Sequence, residues 1–496
     1  MTEVHLRGEF ASLFPELSRP WTPTLPPAAQ EPAYVAVNHD LGAELGLDAD
    51  WLTGSEGLSV LGARRVLPGS TPVAQAYAGH QFGGYSPVLG DGRAVLLGEL
   101  TDHDGRTVDL GLKGSGPTPF ARRGDGRAVI GPVLREYLFG ESMHALGVPT
   151  TRVLAAVTTG DRVWRDGRMP PGAVLARVAA SHLRVGTFEL ARQVAPEDRA
   201  SELVPRLVEH ALARHYPQHR DADNPALALL SAVIAAQAET IARWMALGFV
   251  HGVMNTDNMA LSGQTIDYGP CAWLEAFDPE VVFSSIDTGG RYRFRNQPAI
   301  GVWNLSRFAE TLLPQLDETP DVAVGIATSA LEAYAPAHQD FWLDLMRAKL
   351  GLPGRAEADA ELIGELLDLL RDGRIEYTGF WRELARELGV TAAGGTPDPA
   401  SFAARHPQWW ERWLGRLGGG DHRAIAEAMD AVNPAYVPRN HLVEEAVTAG
   451  EQGDFAPFTD LLAALTDPFV ERPEHARYAA PAPEGFTAGH VTYCGT

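Results

Sequence analysis

Lys113 ends an apolar run, Val108 to Leu112, that reads as a buried strand. An ammonium group there needs a partner or an anionic ligand, because an unpaired buried charge is costly. Glu136 lies 23 residues on, within a helical stretch from Ala128 to Leu146, and can be that partner. The ordinary alternative is a strand-end lysine that snorkels to water. The sharpest constellation is Asn255-Thr256-Asp257-Asn258 followed by Asp267-Tyr268-Gly269. Asp257, Asn258 and Asp267 offer hard oxygen atoms, which suit Mg²⁺ alongside phosphates and water. The alternative is a polar turn, since Asn and Asp favour turns. His251, just before this loop, reads as structural. Arg177 and Arg184 flank a strand end and a loop with Ser181 and His182. Guanidinium groups suit bidentate phosphate contacts, although two arginines seven apart are more often surface residues.

Two Gly-Asp-Gly-Arg runs accompany these groups. In Gly90-Asp91-Gly92-Arg93 the glycines let backbone N–H groups approach an anion, yet Asp-Gly is also a common hairpin turn. An acidic Asp91 in a phosphate-covering loop would repel a triphosphate unless a metal or an unusual nucleotide orientation intervened. In Gly124-Asp125-Gly126-Arg127, Asp125 is either the N-cap of the following helix or a phosphate or metal contact at its N-terminus. No His-Glu-x-x-His pair and no Gly-x-Ser-x-Gly elbow occurs, so zinc-protease and serine-hydrolase chemistry lack support.

The elements that must position these groups follow a recognisable order. A glycine turn precedes an apolar run, Ala94 to Leu97; then come the run ending on Lys113 and the helix with Glu136. Turn, strand, strand with a lysine and helix with a glutamate is how a kinase-like small lobe grips nucleotide phosphates. Arg152 to Thr158 and Ala173 to Val178 read as an antiparallel pair. Arg199 to Tyr216 and Pro225 to Leu247 read as amphipathic helices, and Gln264 to Ile266 as a short strand before Asp267. From about Trp303 the pattern is mostly helical, with clear segments at Glu361 to Leu370 and Phe380 to Leu388 and a Gly/Pro linker from Gly394 to Pro399. The expected fold is α+β, two-lobed and kinase-like. An extended, proline-rich segment (1–70) lies on the body. A small lobe (71–195), a large lobe with the catalytic and metal loops (196–330) and a helical C-terminal region (331–496) follow.

Net charge is −22, which disfavours nucleic acid or an anionic membrane as partner. Two cysteines, Cys271 and Cys494, make neither a disulfide framework nor a zinc set. The N-terminus lacks a signal-peptide pattern. The most apolar stretch, Leu227 to Ala242, is interrupted by Ser231, Gln237 and Glu239. The expectation is a cytoplasmic protein.

Specific motifs then add a family. Tyr-Ala-Gly-His-Gln-Phe-Gly from Tyr77, Leu-Gly-Asp-Gly-Arg-Ala-Val from Leu89 and Leu-Lys-Gly-Ser-Gly-Pro-Thr-Pro-Phe-Ala-Arg from Leu112 occur in order. His-Gly-Val-Met-Asn-Thr-Asp-Asn-Met from His251, Asp-Tyr-Gly-Pro from Asp267 and Asn-Pro-Ala-Tyr-Val-Pro-Arg-Asn from Asn433 follow them. With these stretches, which run from Tyr77 to Asn440, the chain resembles the SelO (YdiU) family, the selenoprotein O-like pseudokinases. The resemblance implies a kinase-like fold that transfers AMP rather than phosphate from ATP to Ser, Thr or Tyr hydroxyls of proteins. It also implies an inverted nucleotide, whose leaving pyrophosphate the extra arginines clamp. Carried over by motif, Gly90, Gly92, Arg93, Lys113, Asp125 and Gly126 touch the nucleotide, and Arg177 and Arg184 touch its phosphates. Glu136 pairs with Lys113, Asn258 and Asp267 hold Mg²⁺ (Mn²⁺ being the alternative), and Asp257 is the proton acceptor. The kinase His-Arg-Asp-x-x-x-x-Asn loop is absent, since Asp257 and Asn258 are adjacent. UTP is an alternative donor, and acceptors include other proteins or the chain itself. Cys494 stands third from the end, where animal relatives carry selenocysteine; a regulatory Cys271–Cys494 disulfide and two unconnected thiols are both open. Rival readings are a protein kinase moving the γ-phosphoryl group and a non-catalytic nucleotide-binding scaffold.

Overall fold

β-Branched, glycine-punctuated runs become the strands of one antiparallel sheet. The computed structural model describes residues 4–25, 30–165, 167–194, 200–395 and 398–493. In chain order the first strands are β1 (Ser18–Pro20), β2 (Ala33–Val37) and β3 (Val73–Gln75), then a separate hairpin, β4 (Gly79–Gln81) and β5 (Gly84–Ser86). β6 (Ala94–Thr101), β7 (Thr107–Lys113), β8 (Ala128–Val129), β9 (Arg152–Arg162) and β10 (Pro171–Ala179) follow. Across the sheet the order is β1-β3-β6-β7-β10-β9-β2, with β8 also pairing to β10. The antiparallel pair expected of 152–158 and 173–178 forms, as β9 against β10.

Both faces of this sheet are covered. On one, Val95, Leu97, Leu110, Leu112, Val174 and Val178 pack against Leu41, Leu45, Leu52, Val60 and Leu61. Those partners come from α2 (His39–Glu44) and its C-cap Leu45, α3 (Ala49–Thr53) and α4 (Ser55–Leu61), which follow the short α1 (Glu9–Leu13). On the other, Leu96, Val153, Ala156, Ala173 and Leu175 share a core with Ile130, Leu134, Tyr137 and Leu138 of α5 (Ile130–Ala145). Burial on both faces explains runs that are apolar at successive positions rather than alternating. The N-terminal segment thus differs from the extended cover that its prolines suggested: it contributes two strands and one whole face of the core. Asn38 and Asp48 cap α2 and α3, so the turn residues there start helices.

The rest of the chain is largely helical. α6 (Val185–Val194) and α7 (Ala200–His215) lead to α8 (Pro225–Leu247). Asn224 caps α8, Pro225 sets its first turn, and Gly248 ends it in a left-handed conformation. α8 is long and apolar enough to cross a bilayer, more so than its polar residues suggested. Here it is packed among α7, α9 (Gln297–Leu316), α10 (Pro320–Glu332) and α11 (Tyr334–Lys349). Its Gln237 and Thr240 side chains donate to the Ala260 and Gly263 carbonyls at 2.7 Å each. A second core joins α11 to α12 (Asp359–Asp372) and α13 (Tyr377–Ala392) around Trp381, Trp409 and Trp413. Between α8 and α9 run β11 (Phe249–Val250), β12 (Ala272–Trp273) and the loops between them. The strand expected at 264–266 is reduced to a single parallel bridge from Thr265 to Thr150. Part of the Gly394–Pro399 linker lies outside the described residues.

Candidate active site

Strand parity places the first charges. Lys113 ends β7 opposite Leu175, and two residues back Gly111 stands opposite Arg177 of β10. Directly opposed residues share a face, so Lys113 and Arg177 project together towards α5. Gly111 makes room: a Cβ there would lie 3.3 Å from the His182 ring. From α5, Glu136 accepts from Lys113 Nζ at 2.5 Å and from Arg177 Nη1 at 3.2 Å. The expected Lys113–Glu136 pair forms, so Lys113 is not a free strand-end lysine.

The loop after β11 arrives from the other side. Thr256–Asn258 form a single 3₁₀ turn. Asn304 Nδ2 of α9 donates to the Met254 carbonyl at 3.0 Å, which ties the loop to that helix. Arg184 bridges to Ala260 just ahead of α6, and its Nη1 donates to the Asp257 carbonyl at 3.0 Å. Its guanidinium also lies 4.5 Å from the Tyr77 ring centroid. Asp267 completes the group: Oδ1 accepts from Lys113 Nζ at 2.8 Å and from Arg177 Nη1 at 2.7 Å, and Oδ2 lies 3.7 Å from Arg184. Arg177 and Arg184 are therefore buried parts of one cluster, not surface residues. Asp267 holds φ of +65°, a left-handed conformation uncommon outside glycine. Such local strain persists where surroundings enforce it, often at functional sites.

Charges set the protonation states. Burial alone would raise Asp267, but Lys113, Arg177 and Arg184 outweigh it and hold the carboxyl well below its ordinary value. Burial likewise opposes charge on Arg177, and Asp267 and Glu136 more than compensate. For Asp257 burial wins over the attraction of Arg184, and its pKa rises to about 6. Asp257 Oδ2 accepts from Gln81 Nε2 at 3.3 Å, whereas Oδ1 is buried without a hydrogen-bond partner.

The glycine runs divide. Gly90 is left-handed, and a Cβ there would sit 2.3 Å from the Phe120 ring. Asp91 is buried, with Oδ2 accepting the Gln75 N–H at 3.1 Å, and its carboxylate is near enough to Arg177 and Arg184 to help hold both charged. The acid in this glycine turn thus faces guanidinium groups. Gly92 packs against the Phe120 carbonyl, and Arg93 accepts from the Gly114 N–H at 2.7 Å, next to Lys113. Asp125 is not the cap of α5, a position held by Val129. Arg165, forty residues on, takes its carboxylate at 2.7 and 2.9 Å. Gly126 is left-handed against the backbone of Gly116. His251 is buried, with its N–H on Gln297 and its ring on the Ile266 carbonyl, a structural role. Cys271 is a buried free thiol, and burial pushes it up to about 12; Cys494 lies outside the described residues.

The donor set fits a hard cation. Asn258 Nδ2 donates to the Val253 carbonyl at 3.0 Å, which leaves Oδ1 free to accept. Asp267 is ionised, and the orphaned Asp257 Oδ1 stands in the same 3₁₀ turn as Asn258. Among the described residues no cluster of three His, Cys, Asp or Glu forms a metal cage.

Other side chains join the site without having been singled out. Gln81 reaches Asp257. Tyr77 underlies Arg184. His182 Nε2 accepts from Arg177 Nε at 3.2 Å, and its other ring nitrogen bonds Asp109 at 2.9 Å. The signal available was the polar and aromatic density of residues 77–82, which no strand or helix pattern requires.

A family model described as protein adenylyltransferase SelO matches residues 8–466. A Mycolicibacterium smegmatis protein named protein nucleotidyltransferase YdiU is 53% identical over 495 residues, 99% of this chain and 98% of that one. A Mycolicibacterium paratuberculosis protein of the same name is 52% identical over 505 residues, 100% and 99% of the two chains. One from Cereibacter sphaeroides, also so named, is 53% identical over 476 residues, 95% and 96%.

Proposed function

The chain belongs to the SelO family of protein nucleotidyltransferases, and we propose that it transfers AMP from ATP to Ser, Thr or Tyr hydroxyls of proteins, with release of pyrophosphate. UTP, donating UMP, is the alternative nucleotide. The proposal includes a two-lobed, kinase-like arrangement of sheet and helices and a cytoplasmic setting.

The observation that carries this reading is the convergence of Lys113, Arg177 and Arg184 on Asp267, with the unpartnered Asp257 Oδ1 in the loop that Arg184 holds. Lys113, Arg177 and Arg184 are held by Glu136 and Asp267, so they are oriented before any ligand arrives, which favours electrostatic stabilisation without reorganisation. Phosphate oxygens would exchange with the carboxylates as their partners. The acceptor hydroxyl oxygen attacks the α-phosphorus, the bond from that phosphorus to the β-bridging oxygen breaks, and the hydroxyl proton passes to Asp257 Oδ1. The arginines hold the charge gathering on pyrophosphate. Asn258 Oδ1 and Asp267 would hold Mg²⁺ or Mn²⁺, which when bound neutralises phosphate charge.

The test compares ATP labelled at the α- and at the γ-phosphate, each incubated with the protein, Mg²⁺ and a protein mixture. Label retained on protein from the α position alone is expected. Label from the γ position alone would make the chain a kinase, and ATP binding with no label from either would make it a scaffold.

A further inference from the structure

The β4–β5 hairpin is clamped to the turn that carries Asp257. The His80 N–H donates to Thr256 Oγ1 at 2.7 Å, and the His80 ring bonds Glu189 at 2.5 Å. Gln81 reaches Asp257, and the Phe82 N–H is shared by Asn255 Oδ1 and the Tyr292 hydroxyl at 3.1 Å each. At the tip, Phe82 and Gly83 both have positive φ, +52° and +83°. That is the two-residue turn matching strand twist, but an aromatic residue there is strained. Phe82 and Tyr85 nevertheless face solvent, 38% and 43% exposed. Each ring leans on a neighbour with its outer face left open, Phe82 on Tyr292 at 5.2 Å and Tyr85 on His80 at 4.8 Å between centroids.

Arg291 lies under the tip. A Cβ on Gly83 would be 3.5 Å from its Cζ. The guanidinium is 4.6 Å from the Trp303 ring centroid and 5.7 Å from that of Tyr292. Trp303 in turn meets His80 at 5.3 Å, so hairpin, arginine and indole form one surface. Arg293 and Arg295, in the same run, both pair with Glu280. Arg307, also on Trp303, pairs with Glu310. Arg291 has no carboxylate partner among the described residues, and its Nε and Nη2 are buried without hydrogen bonds. Asp287, the nearby acid, is engaged by the backbone N–H groups of Arg291 and Tyr292. A guanidinium without a carboxylate partner, half-buried on aromatic rings beside the Tyr292 hydroxyl in a chain of net charge −22, attracts an outside carboxylate to its open side.

We infer that this surface docks the acceptor protein, and that Arg291 selects hydroxyls with an acidic side chain close by in sequence. The inference rests on the transferase reading, with the hydroxyl at Asp257. Gln81, which bonds Asp257, and Gly83, beside which Arg291 lies, belong to one hairpin, so an acceptor segment that reaches Asp257 passes the Arg291 guanidinium. Phe82 and Tyr85 supply the apolar contact beside it.

The experiment uses the full chain, Mg²⁺ and α-labelled ATP with three peptides. They are identical except for Glu, Gln or Lys at the positions one to three residues on either side of a single Thr. The Glu peptide is expected to exceed the Lys peptide in kcat/KM by at least about 10-fold, the factor equivalent to about 1.4 kcal/mol, and less at high salt. Arg291→Glu should invert that order and Arg291→Gln should level it, with nucleotide Kd by calorimetry unchanged. Equal use of the three peptides, an order that survives Arg291→Glu, or a changed nucleotide Kd without a changed order each overturns the inference alone. Label on the chain itself but on no peptide does the same. Label on neither overturns the transferase reading beneath it.

Discussion

Asp257 has one oxygen tied to Gln81 and the other orphaned, at a pKa near 6 that burial sets. Asp257→Asn keeps the shape and removes the proton acceptor. Transfer should fall by about 10²–10⁴-fold, the usual worth of a positioned general base, with the nucleotide Kd little changed. An unaffected rate would return Asp257 to a structural role. A melting series on metal-free, nucleotide-free protein checks the protonation state independently. The folded pKa exceeds the ordinary 3.8, so the folded chain binds this proton more tightly, and wild type should lose stability relative to Asp257→Asn as pH rises from about 4 to about 6. Much at this scale was legible in residue type: a buried lysine needs an acid, and Glu136 was the acid to hand. Asp125 misled because the short strand Ala128–Val129 separates it from α5, so its carboxylate turns to the Arg127 N–H and to Arg165, a partner forty residues away that local spacing cannot reveal. Arg177 and Arg184 looked like surface residues until strand parity turned one inward and the α6 entry turned the other.

At the scale of elements, two loops must keep register for Asp257, Asn258 and Asp267 to converge. Gly252 sets that register. It is left-handed at φ +83°, and a Cβ there would meet the Pro270 carbonyl oxygen at 2.4 Å, a backbone atom that cannot rotate away. Gly69 is equally left-handed, at φ +79°, with nothing within 4 Å. Alanine at either should cost about 1–2 kcal/mol from conformation. Only Gly252→Ala should also part the 251–259 loop from the 267–270 segment, and a shift of about 1 Å can cost about 10²-fold in rate. A larger melting loss for Gly252→Ala than for Gly69→Ala, with the rate loss confined to Gly252→Ala, is expected; equal rates in the two variants would detach this contact from catalysis. Regular elements were largely readable beforehand. Strands 94–97 and 108–112 and helix 225–247 carry their own stop signals in Gly92, Gly114, Asn224 and Gly248. The expected strand at 264–266 was not, because its pairing is one long-range bridge to Thr150.

At the scale of the whole molecule, the N-terminal seventy residues were the part least legible in sequence. Prolines and scattered turn residues hide helices of five to seven residues whose apolar side chains gain meaning only against a sheet built much later in the chain. The reading as a surface cover and the observed fold make opposite predictions for a chain starting at residue 71. A cover could be removed with little effect on the rest. In the observed fold, removal strips β1 and β2 from the sheet edges and uncovers Val95, Leu97, Leu110, Leu112, Val174 and Val178, each now under 7% exposed. Re-exposing a Val or Leu costs about 1.5–3 kcal/mol, so these six come to about 9–18 kcal/mol. That matches or exceeds the roughly 5–15 kcal/mol that holds a typical domain together. The truncated chain should therefore be recovered as aggregate, or as a soluble form without a cooperative thermal transition, and Lys113, which ends one of the uncovered strands, should no longer support nucleotide binding by calorimetry. A truncated protein that melts cooperatively and binds ATP with the full chain's Kd would show that the sheet stands without its N-terminal face.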